Sequence, residues 1–361
     1  MASNSFGNIL RMTTWGESHG KAIGVVIDGF PSGIPIDEEM IQSALSRRAP
    51  GKNLYTSPRK ENDRAEILSG IFEGVTTGTP ISVIIYNHDQ DSSKYESIKN
   101  LLRPGHANYT YLKKYGIFDY RGAGRSSGRE TACRVIAGAI AKQLLHQFNI
   151  HVIAYVKQIS EIEASIIECT MEEMQERTFA SPVFCPDERA AEQMIEAIER
   201  IKQENDSLGG VVEFIAHGVP VGLGDPIYQK LEANLAVAMM SIPATKSFEI
   251  GAGFASIAMR GSQHNDEFVH DDGMIKTKTN HAGGVLGGIS TGMPIVGRVG
   301  FKPTSSIMKE QNTVNIDGQQ DSFFLPQGSR HDPCIVLRAV PVVDAMASFV
   351  LADAFLANQC R

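Results

Sequence analysis

Two histidines sit among small residues in polar turns: His19 in Gly16-Glu17-Ser18-His19-Gly20 and His106 in Arg103-Pro104-Gly105-His106. An imidazole near its ordinary pKa of roughly 6.5 gives or takes a proton at physiological pH. His146, His151 and His270 lack such a setting and read as structural or solvated. Around and after His106 come Arg103, Arg121, Arg125, Arg129 and Arg134, and between them Gly122 to Gly128 is rich in glycine and serine. A glycine-rich loop feeding a helix presents free backbone N–H groups and a partial positive charge, which with these guanidinium groups makes a receptor for a polyanion. An ordinary capped helix with solvated arginines would show the same pattern. So many arginines among so many glycines in an acidic chain favour the anion site. Lys302-Pro303-Thr304-Ser305-Ser306 adds one ammonium, three hydroxyls and a rigid turn, chemistry suited to a phosphate-bearing ligand. Arg330-His331-Asp332-Pro333-Cys334 with Arg338 adds two cations and a carboxylate. No His-Glu-x-x-His pair is present and His331-Asp332 adjoins a proline, so no metal site is expected.

Three other motifs are weaker. Gly16 to Gly20 fits the G-x-S-x-G of a serine-hydrolase elbow, which needs a strand before it and a helix after it. Here Ala22 to Asp28 follows and reads as a second strand. The same run lacks the spacing and the Ser/Thr of a phosphate-binding Walker loop. Gly122-Ala-Gly124-Arg-Ser-Ser-Gly128 departs from the dinucleotide fingerprint and sits in no βαβ alternation.

These residues need elements to hold them. Asn8 to Thr14 and Ala22 to Asp28 read as strands, and Asp37 N-caps a helix to Arg48, stopped by Pro50-Gly51. Ile81 to Tyr86 reads as a strand, Tyr55 to Glu66 as a polar loop, and Arg103 onward as a cationic, aromatic loop. From Arg129, residues Ala132, Val135, Ile136, Ala139, Ile140, Gln143 and Leu144 follow i, i+3, i+4 spacing, with Ser126 or Ser127 as N-cap and Glu130 in the first turn. Later come a helix at 187–203, a strand at 211–216, a helix at 226–240 and a closing helix at 343–358.

Composition narrows the class. The 361 residues are 42% hydrophobic and 21% charged, as in a globular protein, with no apolar run of the ~20 residues a membrane span needs. Five cysteines without a C-x-x-C pair point to a reduced, cytoplasmic chain. A net charge of −7 argues against nucleic-acid or membrane partners. Its distribution tells more: residues 1–135 carry 17 Lys and Arg against 14 Asp and Glu, the remainder 17 against 27. Residues 158–206 carry 13 acidic residues against four basic ones and read as a solvated insertion.

The two halves echo each other. Gly70-Ile-Phe-Glu-Gly74-Val-Thr-Thr77-Gly78-Thr-Pro80-Ile81 aligns with Gly284-Val-Leu-Gly-Gly288-Ile-Ser-Thr291-Gly292-Met-Pro294-Ile295. Upstream, Asp28-Gly29-Phe30-Pro31-Ser32-Gly33 parallels His217-Gly218-Val219-Pro220-Val221-Gly222, and a helix follows each. The matched order predicts a single α+β domain over residues 1–361 with quasi-twofold internal symmetry.

Taken together, Gly16 to Pro31, Arg103 to Ile140 and Arg330 to Met346, with Ser-Ile-Pro-Ala-Thr-Lys (241–246), Asn-His-Ala-Gly-Gly (280–284) and Lys302 to Ser306, resemble the chorismate synthase family from Phe6 to the C-terminal helix. The resemblance implies a β-α-β sandwich, with helices between antiparallel sheets, assembled as a homotetramer. It implies a carbon-oxygen lyase acting on 5-enolpyruvylshikimate 3-phosphate: a 1,4-anti elimination of phosphate gives chorismate, the last shared step toward the aromatic amino acids. That family requires reduced FMN without net redox change. Nothing resembles a nicotinamide domain, so reduced flavin is expected from an external reductase or another NADPH-derived source. By resemblance, Arg125, Ser126, Ser127, Ala244, Gly287, Lys302, Pro303, Thr304, Ser305, Ser306 and Arg330 bind the flavin, and Arg48, Arg129, Arg134 and Arg338 the substrate anions. His106 protonates the departing phosphate, His19 donates a proton to the reduced flavin, and Asp332 helps manage the flavin N5 proton. Ala49 and Leu54 stand where relatives commonly carry cations.

Overall fold

The computed structural model describes residues 4–360 apart from 50, 52–54, 56–62, 89–92, 168, 272 and 327–331. The chain opens with β1 (Ser5–Phe6), β2 (Arg11–Gly16) and β3 (Ala22–Asp28), the last two joined by residues 17–21. Next comes α1 (Glu38–Arg48), whose N-cap Asp37 accepts from the backbone N–H groups of Glu39 and Met40 while Arg47 and Arg48 complement the dipole at its other end. Then follow β4 (Glu66–Ile67), the hairpin β5 (Ile71–Phe72) with β6 (Val75–Thr76), and β7 (Ile81–Tyr86). Ile81, Val83 and Ile85 of β7 point inward and their neighbours outward, the period of a half-buried strand. The first sheet is antiparallel with order β1-β2-β3-β7-β4.

Helix α2 (Asn108–Tyr115) and two short 3₁₀ turns lead into α3 (Thr131–His146). The expected stripe of α3 is buried along its whole length. Beyond it lie β8 (His151–Ile159), β9 (Ile162–Glu163), α4 (Met171–Ala180), α5 (Glu188–Gln203), β10 (Gly210–His217), α6 (Leu231–Met240) and β11 (Thr245–Ile250). A short α7 (Gly261–His264), the hairpins β12 (Phe268–Asp271) with β13 (Met274–Thr277) and β14 (Val285–Leu286) with β15 (Ile289–Ser290), and β16 (Ile295–Phe301) follow. A last hairpin, β17 (Gln311–Val314) with β18 (Gln320–Phe323), precedes α8 (Val336–Gln359). The second sheet is antiparallel with order β11-β16-β10-β8-β9.

Helix α3 packs on β2 and β3 of the first sheet and against α8, which packs on β8 and β10 of the second. The two helices approach closely: a Cβ on Gly138 would lie 2.3 Å from the Cα of Ala345. Leu337, Val343, Phe349 and Leu351 of α8 are fully buried, each worth ~1.5–3 kcal/mol. Although α8 is long and apolar enough to cross a membrane, 83% of its most apolar stretch is buried inside the protein, as for a core helix. Its Asp353 accepts from the N–H groups of Asn8, Ile9 and Leu10 at 2.8–2.9 Å, tying the β1–β2 turn to the helix layer. One hydrophobic core joins residues of both sheets.

The turns that follow β3 and β10 share details. Gly29 and Gly218 hold φ of +79° and +73°, and a Cβ on either would meet a carbonyl oxygen, of Ile9 or Asn149, at 2.0 Å. The hydroxyl of Thr76 bridges Pro31 O and Ile34 N, and that of Ser290 bridges Pro220 O and Leu223 N. Four expectations are corrected. The aromatic stretch after His106 is not all loop, because α2 forms there and ends at the left-handed Gly116. The helix expected from 226 starts at Leu231, since 225–229 close a turn through Ile227 at φ +71°. The closing helix starts at Val336 and runs through Pro341. The acidic segment is only half solvated: α5 buries Ala190, Ala191, Met194 and Ile198.

Candidate active site

Three loops converge on one cleft of about 2290 Å³. The first leaves β16. Lys302 N–H donates to Ala244 O at 3.0 Å, Ser207 Oγ donates to Thr304 O at 2.9 Å, and Thr304 Oγ1 donates to Asp332 O at 3.3 Å. Ala244 holds φ +70°, an unfavourable conformation for a non-glycine residue. The second loop carries His106. Gly105, at φ +66°, lies so near Ser305 that an added Cβ would be 3.1 Å from the serine Cβ, and Arg103 Nη2 donates to Ser306 Oγ at 3.1 Å. These contacts hold the imidazole beside Lys302 to Ser306.

The third loop is Gly122 to Gly128. Gly122 (φ +75°) approaches His19 so closely that a Cβ would stand 2.6 Å from its ring. Arg125 clasps the loop to the end of β2: its guanidinium donates to Asn4 Oδ1 (3.2 Å), Gly16 O (3.4 Å), Thr14 O (2.7 Å) and Thr14 Oγ1. Those four bonds leave one of its five N–H donors for a ligand. Ser127 accepts from Arg129 N–H at 3.2 Å and so caps the 3₁₀ turn that runs into α3. Trp15, Tyr111, Tyr115 and Phe118 add an aromatic wall.

His106 is neutral in this setting. Burial, and then the positive charges of Arg103 and Lys302, push its pKa down to about 3. Asn108 N–H donates to Nδ1 at 3.3 Å, so the tautomer carries its proton on Nε2. Burial, then Lys246, also lowers the pKa of Lys302. A cleft that holds back positive charge while displaying Lys302, Arg125 and Arg134 is arranged to be completed by anions.

Of the residues expected to act, His106, Arg125, Ser126, Ser127, Arg134, Ala244, Lys302, Thr304, Ser305, Ser306 and Asp332 all line the cleft. Arg134 does so at the rim, paired with Glu130 at 2.9 Å and donating to Ser241 Oγ at 2.6 Å. Others stand behind the wall. His19 is backed by Ser18 Oγ at 3.1 Å and by the edge of Tyr95, while its neighbours Glu17 and Gly20 face the cleft. Arg48 and Arg129 are buried and share Asp63, Arg48 at 3.2 Å and Arg129 in closer contact. Arg48 also donates to Thr131 Oγ1 and Gly128 O, and burial, then Arg338, lowers its pKa to about 9. Arg338 donates to Asp332 at 2.7 Å and to Arg48 O at 3.3 Å. Of the four expected substrate arginines, Arg134 lines the cleft, while Arg48, Arg129 and Arg338 form an ion cluster one layer back. Arg129 Nη2 is buried without a hydrogen-bond partner among the described residues and keeps a donor in reserve.

Pro303 does not face the cleft. Gly287 sits in the β14–β15 turn and does not line its own chain's cleft. Arg330 and Leu54 lie outside the described residues, and Ala49 is buried at the end of α1. Two residues without a local sign in the sequence are Asp63, one of several charged residues in a polar stretch, and Glu130 as partner of Thr14 and Arg134. The hydrolase elbow is absent, since Ser18 is 2% exposed and strands flank it on both sides.

Comparison with known proteins gives the family of the chain. The family model described as chorismate synthase matches residues 10–356. The chain is 57% identical over 363 aligned positions to a chorismate synthase of Protochlamydia amoebophila, covering 99% of each. It is 54% identical to that of Archaeoglobus fulgidus, with 98% of this chain and 97% of the relative covered. A crystal structure of chorismate synthase superposes with a TM-score of 0.78 at 33% identity, covering 98% of this chain and 93% of that one. With a match that runs from the first sheet through α8, the chain belongs to the chorismate synthase family and is a lyase.

Proposed function

We propose that the cleft binds 5-enolpyruvylshikimate 3-phosphate beside reduced FMN and eliminates phosphate 1,4-anti to give chorismate. The observation that carries this reading is His106: a partly buried, neutral imidazole, with its proton on Nε2, among cations that call for a polyanion. The cleft volume of about 2290 Å³ exceeds the ~300–1,000 Å³ of a usual small-molecule pocket, leaving room for two ligands.

The residues fit a flavin mononucleotide. Lys302, the last free donor of Arg125 and the hydroxyls of Ser126, Ser127, Thr304, Ser305 and Ser306 suit its phosphate and polar edge, and the aromatic wall suits a flat ring. Reduced flavin, when bound, supplies an electron reversibly, so that the elimination ends without net redox change. The protein's own work is electrostatic. Anions entering beside Lys302 favour the imidazolium, and Nε2 of His106 then holds a proton for the leaving phosphate oxygen. Arg338 keeps Asp332 paired at the cleft edge, and Asp63 fixes Arg48 and Arg129 behind Gly128, whose backbone faces the cleft.

The same reading takes the two sheets as quasi-twofold halves of one β-α-β sandwich domain. The parallel orders β2-β3-β7-β4 and β8-β10-β16-β11 and the paired glycine and hydroxyl contacts support it. It also takes the chain as a cytoplasmic homotetramer supplied by a separate NADPH-dependent flavin reductase. Exposed Tyr228, Phe254, Ile257, Phe268 and Ile275 support association of copies, and through it Gly287 would reach a neighbour's cleft. The test is an anaerobic assay with photoreduced FMN and 5-enolpyruvylshikimate 3-phosphate, following chorismate absorbance. Product formation supports the reading, and binding of both ligands without product would refute it.

A further inference from the structure

A second cavity of about 360 Å³ shares no lining residue with the cleft. It lies where α1, α3, α4, α8 and β8 meet. Its floor is made of small apolar side chains, among them Val135, Ala139, Val152, Ala154, Val340 and Pro341. The small residues explain why space is left: helices that could close on each other carry alanine where a leucine would fill the gap.

The polar groups around this floor are Ser43, Arg47, Lys142, His146, His151, Glu172, Gln175 and Asp344. Lys142 is neutralised by both carboxylate oxygens of Asp344, at 2.9 and 2.8 Å. His146 and His151 stack with ring centroids 5.0 Å apart, and burial, then Lys142 and His151, lowers the pKa of His146. Glu172 is exposed in the first turn of α4, where solvent screens it. Arg47 is different. Its guanidinium lies 4.6 Å over the Phe179 ring and donates only to Ser43 Oγ at 2.8 Å, with no ion pair among the described residues. Burial lowers its pKa, with Asp344 offsetting only part. A guanidinium partly desolvated without a carboxylate is an incomplete pair, and its planar fork matches a carboxylate with two parallel hydrogen bonds.

We propose that this cavity is a binding site for a small aromatic monocarboxylate, its ring on the alanine and valine floor and its carboxylate on Arg47. The volume suits one ring with a short side chain. The assignment is independent of the reaction in the cleft.

The probe is 3-phenylpropionate, with phenethylamine as the cationic comparator, titrated into the full chain labelled with ¹³C at the methionine methyls. Met40 and Met171 line this cavity and not the cleft, so they report where the probe binds. The expected result is saturable shifts at the Met40 and Met171 signals for the carboxylate and none for the amine. Arg47→Gln, and separately Ala44→Leu to fill the space, should each weaken binding at least tenfold while the thermal melt stays cooperative. Shifts confined to other methionines, equal binding of the amine, or affinity unchanged in both variants would overturn the assignment.

Discussion

Binding of the anionic substrate should drive a proton onto His106. In the ligand-free protein burial, Arg103 and Lys302 move its pKa from 6.5 to about 3. At ~1.36 kcal/mol per unit, that is roughly 5 kcal/mol against the imidazolium. A phosphate dianion about 4 Å away contributes ~4 kcal/mol of attraction per unit charge at an effective dielectric of ~20, or ~8 kcal/mol in all. The second quantity exceeds the first, so the ring changes from neutral to charged when the site fills. Titration calorimetry at pH 7 with 5-enolpyruvylshikimate 3-phosphate and oxidised FMN, in buffers of different ionisation enthalpy, counts the protons taken up. The ligand phosphate itself titrates near ~6, so the count is compared with that of His106→Ala. Wild type should take up roughly 0.5–1 proton more than the variant, by the same electrostatic balance. Equal counts would refute the reasoning, since His106 would then be either charged already or never charged.

Three further outcomes follow from the same geometry. A histidine whose folded pKa is depressed contributes stability that is present above its unfolded pKa and is lost as pH falls toward the folded one, here between about 6.5 and about 3. Wild type should therefore lose roughly 2–3 kcal/mol more than His106→Gln between pH 7 and 4.5, measured by urea unfolding; parallel pH profiles would contradict the burial assigned to the ring. Asp63→Asn leaves the buried Arg48 and Arg129 without their shared carboxylate and should cost ~3–5 kcal/mol in the same experiment; a cost under ~1 kcal/mol would show that the cluster is not a buried ion network. Arg125→Ala removes both the clasp on β2 and a donor facing the cleft, so FMN affinity in a spectral titration should fall by about tenfold or more, the worth of one charged hydrogen bond. An unaltered titration curve would count against the loop assignment.

Much of the scaffold was legible because local rules decide it. The alternation of β7, the cap at Asp37 and the stripe of α3 are short-range patterns, and each appears within a residue or two of its expected bounds. The two matching turn formulas were legible for a stricter reason: Gly29 and Gly218 cannot carry a Cβ without striking a carbonyl, so each turn requires glycine there. Helix α2 was missed because Asn108 is its one buried residue, leaving no apolar stripe to read. The start of α8 was missed because Pro341 and neighbouring valines argue locally against a helix, while burial between the sheets decides for one. In the site, His106, Arg125 and Lys302 to Ser306 announce themselves through glycine and hydroxyl neighbours. Asp63 carries no such sign. It gains meaning only where the end of α1 and the turn before α3 bring two guanidinium groups to it. The same distance in sequence hid the fact that Arg48 and Arg129 stand behind the cleft wall.

One imidazole in that cleft, His106, delivers the proton that lets phosphate leave in the proposed reaction. The measurement is a single-turnover comparison of wild type and His106→Ala, without oxygen, with photoreduced FMN and 5-enolpyruvylshikimate 3-phosphate, reading inorganic phosphate and chorismate together. Loss of the group should slow release of both products about 10²–10⁴-fold, the span of a general acid, with flavin binding retained. Equal rates in the two proteins would contradict the assignment.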